Sequence, residues 1–208
     1  MEIEAKFMTK PHVFEDILDL TEIAGYKVEE VIDISEKDTY LDTKDMDFHK
    51  QGMSFRIRKE DERFLVTLKG KPKRDGAIYS RLEDEEIINE SDIPKIYDMS
   101  LDIAPIIKAK KLAKNKPVSK IFIVDKQRKR MVIVNDNYSI RIDMDIIEYL
   151  IEDVVGHEYE LEIEAKDAPI GEVKIVRDFL ISKFGNYLYP SEKSKYERGL
   201  DLLKNLPE

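Results

Sequence analysis

EIEAK, residues 2–6, alternates charged and apolar side chains, and ELEIE, residues 160–164, repeats this alternation far downstream. Successive side chains of a strand point to opposite faces, so each stretch predicts a strand with one apolar and one ionised face. A closed barrel with a charged interior requires such alternation in strand after strand. The pattern indeed recurs with charges of both signs, at Arg56 and Arg58, Thr67 and Lys69, Arg81 and Glu83, Arg128 and Arg130, and Arg141, Asp143 and Asp145.

The composition indicates a folded chain with an unusually high charge content. Of its 208 residues, 42% are apolar and 38% are charged, whereas about 25% charged is usual. The net charge of −9 argues against duplex nucleic acid as a partner, because such proteins carry a basic surface. The chain has no cysteine, which excludes disulfides, thiolate catalysis and zinc-thiolate sites.

Targeting and membrane signals are absent from the sequence pattern. No apolar run approaches the ~18 residues of a membrane span, and the charged first strand does not resemble a signal peptide. We therefore expect a cytoplasmic protein with no membrane partner. The sequence leaves a homodimer open.

The order of elements predicts a single α+β domain over residues 1–208. About eight antiparallel strands are expected, and that number can close into a barrel wide enough for a small ligand. Flanking helices are expected from Pro11 to about Ala24, in two short pieces broken near Pro105, from Ile170 to Phe184, and from about Glu192 to Leu203. Residues 118–126 and 128–135 are expected to form two separate strands.

A charged barrel interior predicts a charged ligand, because a buried charge is costly unless it is paired or binds an ion. Arginine and lysine suit phosphate oxygens. Clustered glutamates repel a bare polyanion, but they become useful when a divalent cation lies between them and the phosphates. The two signs together predict a metal–polyphosphate complex.

These residues resemble the CYTH family, also called the triphosphate tunnel metalloenzymes. The resemblance covers residues 2 to about 200 and rests on elements in family order. They are the ExExK signature at 2–6, DTYLDT at 38–43, GMSFRIR at 52–58, TLKG at 67–70, RLE at 81–83, Arg128, Asp143, ELEIE at 160–164 and SKY at 194–196. The family fold is an eight-stranded antiparallel tunnel, in agreement with the expected strand number.

The resemblance also implies roles for the charged residues. The implied ligands of Mg²⁺ or Mn²⁺ are Glu2, Glu4, Asp143, Glu160, Glu162 and Glu164. The implied triphosphate-binding residues are Lys6, Arg56, Arg58, Lys69, Arg81, Arg128, Arg130 and Lys195. Lys6 and Glu162 are the candidate catalytic residues, with Glu162 as a general base. Three choices stay open: Arg128 or Arg130, Lys193 or Lys195, and which of the three glutamates at 160–164 binds metal directly.

The implied activity is metal-dependent hydrolysis of a triphosphate. Inorganic tripolyphosphate is the preferred substrate, because no base-reading pocket is evident in the sequence. A class IV adenylate cyclase that makes cyclic AMP and pyrophosphate from ATP is the main alternative, and a thiamine triphosphatase is another. A non-catalytic polyphosphate- or nucleotide-binding module is the alternative outside the enzymes.

Overall fold

The protein is built around one extensive set of β-strands. The computed structural model describes residues 2–71, 73–75, 78–152, 154–165 and 168–205, leaving aside the side chains of residues 2, 3, 74, 75, 79–81, 154 and 155. The strands are β1 (Glu2–Met8), β2 (Glu22–Ile23), β3 (Tyr26–Asp42), β4 (Ser54–Glu60), β5 (Arg63–Lys69), β6 (Lys73–Asp75), β7 (Ile78–Arg81), β8 (Glu83–Ile88), β9 (Ser119–Val134), β10 (Ser139–Ile151), β11 (Val154–Ala165) and β12 (Tyr189–Pro190).

Helices flank the strands in the described part of the chain. They are α1 (Pro11–Leu18), α2 (Asp47–Lys50), α3 (Ile93–Tyr97), α4 (Ala104–Leu112), α5 (Ile170–Phe184) and α6 (Lys195–Lys204), with 3₁₀ turns at Glu90–Asp92 and Gly185–Tyr187. No helix among the described residues is long and apolar enough to cross a lipid bilayer.

The sheet is antiparallel throughout and wraps around an interior. Its order is β6-β7-β1-β11-β10-β9-β3-β4-β5-β8, with β12 beside β1 and β2 beside β3. The order is open within the described residues, with β6 and β8 at its two ends. A single residue, Leu82, nevertheless connects β8 to β7, the strand next to β6, so the chain itself links one end of the sheet to the strand beside the other end. The expected α+β class and tunnel-like antiparallel sheet with flanking helices are thereby confirmed.

Apolar side chains lie between the sheet and the helices, on the outside of the tunnel. Phe7 and Ile163 of the sheet belong to one buried cluster with Val176 of α5. A second cluster places α3 and α4 against β4 and β5, and a third places α6 against β9 and β10. Because alternate residues of each strand face this outer core, their neighbours face the interior.

Two expected elements differ from those in the structure. Helix α1 ends at Leu18, and Ala24 and Gly25 instead form the turn of the β2–β3 hairpin, with φ of 53° and 84°. Positive φ at both central residues is the geometry of a tight hairpin turn, which glycine adopts readily. The separate strands expected around Lys126 and Arg128 are one strand, β9, because β3 and β10 pair with it on both sides.

Candidate functional site

The interior of the sheet holds a charged cavity of about 370 Å³. Every long strand contributes to its wall, because the inward positions of the alternating pattern carry the charges. Among the described side chains, ten cations line it: Lys6, Arg56, Arg58, Arg63, Lys69, Lys126, Arg128, Arg130, Arg141 and Lys195. Seven carboxylates of the same described part line it as well: Glu4, Glu36, Glu60, Glu83, Glu85, Glu162 and Glu164.

Asp38 of β3 anchors the two arginines of β4. Its carboxylate accepts hydrogen bonds from Arg56 Nη1 at 2.9 Å and from Arg58 Nε and Nη2 at 2.7 and 3.0 Å. Lys126 Nζ lies 3.4 Å from the same carboxylate. The register explains the contact, because Asp38 lies opposite Arg58 and Tyr40 opposite Arg56 in the β3–β4 pairing. One buried carboxylate therefore orients three cations at the cavity wall.

Arg128 forms the centre of a second cluster on β9, β10 and β11. Its guanidinium donates to both oxygens of Asp145 at 2.6 and 2.7 Å and to Glu162 at 2.9 Å, and it lies 2.6 Å from Asp143. Arg130 holds Asp143 through two further bonds of 2.8 Å. Both arginines line the cavity. Asp143 thus contacts arginines through both of its oxygens.

Strands β1 and β11 bring the N-terminal signature against the distant glutamates. Glu4 lies directly opposite Glu164, and Lys6 lies opposite Glu162. Lys6 Nζ is 2.9 Å from Glu4 and 2.9 Å from Glu162, and all three side chains are buried. The two carboxylate strands are therefore direct neighbours in the structure.

Helix α6 sends Lys195 into the cavity. Ser194 begins the helix with a capping box, in which its hydroxyl accepts from the Glu197 backbone N–H. Lys195 Nζ lies 2.8 Å from Glu162 and 3.1 Å from Asp145, and it is also paired with Glu160. Lys193 instead pairs with Asp201 on the surface, so Lys195 is the lysine that reaches the interior.

The remaining predicted residues are one buried lysine and two residues whose side chains lie outside the described part. Lys69 lines the cavity and lies 3.1 Å from Glu83. The side chains of Glu2 and Arg81 fall outside the described residues, although the backbones of these two residues are paired between β1 and β7.

Burial and neighbouring opposite charges shift the pKa values of Glu162 and Lys126 in opposite directions. Burial opposes ionisation of Glu162, but the charges of Lys195 and Lys6 outweigh it and hold its pKa well below the usual range. Glu162 is therefore held in its ionised form, in which it pairs with the surrounding cations. Burial and the neighbouring Arg58 charge lower the pKa of Lys126.

Sequence reasoning gave no role to several residues of the site, among them Lys126, Glu36 and Asp38. Lys126 and Glu36 are paired in the cavity wall, and Asp38, which belonged to a quoted motif, had no assigned role. Their signal was available in the alternation, because Lys126 precedes Arg128 by two residues and Glu36 precedes Asp38 by two. The sequence pattern predicted two strands that divide between residues 126 and 128, whereas only a continuous strand places Lys126 on the same face as Arg128.

The fold and the cavity together define an antiparallel tunnel protein with an anion- and metal-compatible interior. The CYTH domain pattern matches residues 1–200, and the chain belongs to this family. No curated protein matches the chain.

Solved structures share the fold at low sequence identity. A candidate adenylyl cyclase from Hippeastrum, described as having a dominant triphosphatase activity, is 19% identical with a TM-score of 0.70, covering 97% of this chain and 96% of its own. A candidate adenylate cyclase from Bacillus halodurans is 17% identical with a TM-score of 0.65, covering 95% and 96%. A protein from Pyrococcus horikoshii is 20% identical with a TM-score of 0.65, covering 97% and 99%.

Proposed function

We propose that this protein hydrolyses a triphosphate in a divalent-metal-dependent reaction, with inorganic tripolyphosphate as the substrate. The observation that carries the proposal is the cavity wall, in which ten cations of the described residues face carboxylates in one cavity. The phosphate oxygens of a polyanion pair with the cations, and a metal ion between the polyanion and the carboxylates removes the repulsion between their negative charges.

Arg56 supplies direct support for an anionic ligand. Its side chain lines the cavity and is buried, and its Nε has no hydrogen-bond partner among the described residues. A buried donor without an acceptor costs about 1–3 kcal/mol. A phosphate oxygen is the acceptor that a guanidinium binds best, so bound triphosphate removes this cost.

The residues present also fit a divalent metal. Glu4 and Glu164 lie directly opposite each other on neighbouring strands, and both line the cavity. Like charges directly opposite are destabilising in a sheet, and Mg²⁺ or Mn²⁺ prefers carboxylate oxygens together with phosphates. We assign Glu4 and Glu164 as its main protein ligands. When bound, the metal supplies neutralisation of phosphate charge and a polarised water.

The side chains of the tunnel bind and orient the triphosphate. The assigned phosphate contacts are Lys6, Arg56, Arg58, Lys69, Arg81, Arg128 and Arg130, with Lys195 adding positive charge from α6. Because the described arginines among them are held in place by buried carboxylates such as Asp38 and Asp143, they need little reorganisation when charge shifts onto the leaving phosphate oxygens. Phosphoryl transfer depends chiefly on such positioning and charge stabilisation. Lys6 lies 2.9 Å from the metal ligand Glu4, which places its charge beside the assigned metal position.

Cyclisation of ATP is the second candidate. Two solved relatives are described as candidate adenylate cyclases, and a cavity of about 370 Å³ lies within the range that accommodates small organic ligands. The same phosphate contacts serve both reactions. They differ in the nucleophile, which is water in hydrolysis and the ribose hydroxyl in cyclisation.

Product analysis tests the proposal. Phosphate and pyrophosphate release are measured from tripolyphosphate, ATP and thiamine triphosphate with Mg²⁺ or Mn²⁺. Fast phosphate release from tripolyphosphate is expected, and it is lost with chelator. Glu4→Gln is expected to lower the rate on the order of 100-fold, whereas the exposed Glu29→Gln is the matched control.

Each contrary outcome leads to a different function. Pyrophosphate release from ATP together with a cyclic product assigns the protein as a cyclase. A preference for thiamine triphosphate assigns the other triphosphatase. Retained tripolyphosphate binding without turnover of any substrate identifies a binding module and refutes the catalytic proposal.

A further inference from the structure

Three buried carboxylates in the middle of β10 and β11 have the arrangement of a metal site. Oxygen atoms of Asp145, Glu160 and Glu162 all lie within 4.8 Å of one another. We call these residues the carboxylate triangle. Taken alone, the triangle competes with Glu4 and Glu164 as the place where a divalent metal binds.

The triangle, however, already contains a cation from the protein. Lys195 Nζ lies 3.1 Å from Asp145 and 2.8 Å from Glu162, and it is paired with Glu160. An ammonium group has three donors, and each has a carboxylate here. Burial opposes the charge on Lys195, but the surrounding carboxylates outweigh it and raise its pKa well above the usual value.

The outer oxygens of the triangle are occupied as well. Arg128 holds both oxygens of Asp145 and the second oxygen of Glu162. Arg198 Nη2 lies 2.7 Å from the second oxygen of Glu160. Three negative charges therefore meet Lys195, Arg128 and Arg198. A divalent ion added here would leave excess positive charge in a buried space, which is costly.

Arg198 is fixed by contacts that have no part in the tunnel. Its Nε donates to Glu158 at 2.7 Å, and its Nη1 donates to Ser191 Oγ at 2.9 Å and to the Lys193 carbonyl at 2.6 Å. Because Lys195 and Arg198 are three residues apart on α6, the helix delivers both cations to the two oxygens of Glu160.

We propose that Lys195 is a built-in cation that occupies the carboxylate triangle in place of a metal ion, and that Arg198 is the positioning residue that fixes Glu160 for it. Lys195 then contributes its charge to the tunnel but has no donor left for a phosphate oxygen. The catalytic metal binds on the Glu4 and Glu164 side only. The location of the metal in this inference rests on the proposed function, because it presupposes that the protein binds a divalent metal.

Counting bound Mn²⁺ ions on the full chain by equilibrium dialysis tests the proposal without using activity. Wild type and Glu160→Gln are expected to bind the same number of ions, and Asp145→Asn provides a second variant with the same expectation. Lys195→Ala is expected to bind one more ion per chain. The double variant Lys195→Ala with Glu160→Gln is expected to return to the wild-type number.

Arg198 is tested by the same count. Arg198→Met is expected to admit an additional ion at raised Mn²⁺ concentration, whereas Arg198→Lys keeps the wild-type number because it preserves the charge beside Glu160. If Arg198→Met binds the same number of Mn²⁺ ions as wild type, the proposed positioning role of Arg198 is refuted. Near-ultraviolet circular dichroism verifies that each variant is folded.

Two results would overturn the lysine assignment. One is the loss of an ion from wild type on Glu160→Gln or Asp145→Asn, and the other is no gain in Lys195→Ala. A wild type that binds no Mn²⁺ would refute the metal dependence of the proposed function instead. The gain in Lys195→Ala would still decide the role of Lys195.

Discussion

Replacing Asp38 by asparagine is expected to destabilise the protein strongly. Asp38 is fully buried and bonds Arg56 and Arg58 at distances between 2.7 and 3.0 Å, with Lys126 at 3.4 Å. Asparagine keeps the shape but removes the charge, which leaves Arg58 and Lys126 with Glu36, and Arg56 with Glu83 at 3.9 Å, as the remaining carboxylate partners. Removing one partner of a buried ion pair costs about 3–5 kcal/mol.

That cost is a large share of the stability of an ordinary domain, which is about 5–15 kcal/mol. For a chain of this size, each kcal/mol lowers the melting temperature by about 2–4 °C, so Asp38→Asn is expected to lower it by roughly 6–20 °C. Thermal melts followed by circular dichroism measure the shift, and urea titrations give the free energy of unfolding.

Asp33→Asn is the matched control. Asp33 is on the same strand and pairs with Lys129 at 2.6 Å, but its side chain is 79% exposed. An exposed ion pair contributes about 0–1 kcal/mol. If Asp38→Asn lowers the free energy of unfolding no more than Asp33→Asn does, the tunnel wall is hydrated well enough that its buried charges do not depend on one another, and the reasoning is refuted.

Two further predictions concern packing and acidity. A Cβ at Gly199 would lie 2.4 Å from the Phe122 ring, whereas a Cβ at Gly171 would meet nothing within 4 Å. Gly199→Ala is therefore expected to lower the free energy of unfolding by about 1–3 kcal/mol in urea titrations, whereas Gly171→Ala is not expected to lower it. Equal free energies of unfolding for the two variants would contradict the close packing of α6. The pKa values of Asp38 and Glu162 are well below their usual range, so their contribution to stability is present above about pH 4 and lost as the pH falls further. Urea titrations at decreasing pH test this, and a rise in stability on acidification would contradict it.

The sequence predicted the charged interior and most of its residues, because alternation along a strand is a local property. Arg56 and Arg58 face inward for the same reason as Lys6, namely that every second side chain of a strand shares a face. The family signature then placed these residues in a tunnel. The turn at Ala24 and Gly25 was not predicted, because the apolar spacing before it also suits a helix.

The sequence by itself determined which side chains face inward and that both signs of charge meet there. Only the tertiary structure decided which charges are partners. Lys195 and Glu160 are paired through the docking of α6 on the barrel, and Asp38 meets Arg58 through the register of β3 on β4. The physical reason is that strand alternation is set within a few residues, whereas register and helix docking depend on the packing of distant segments.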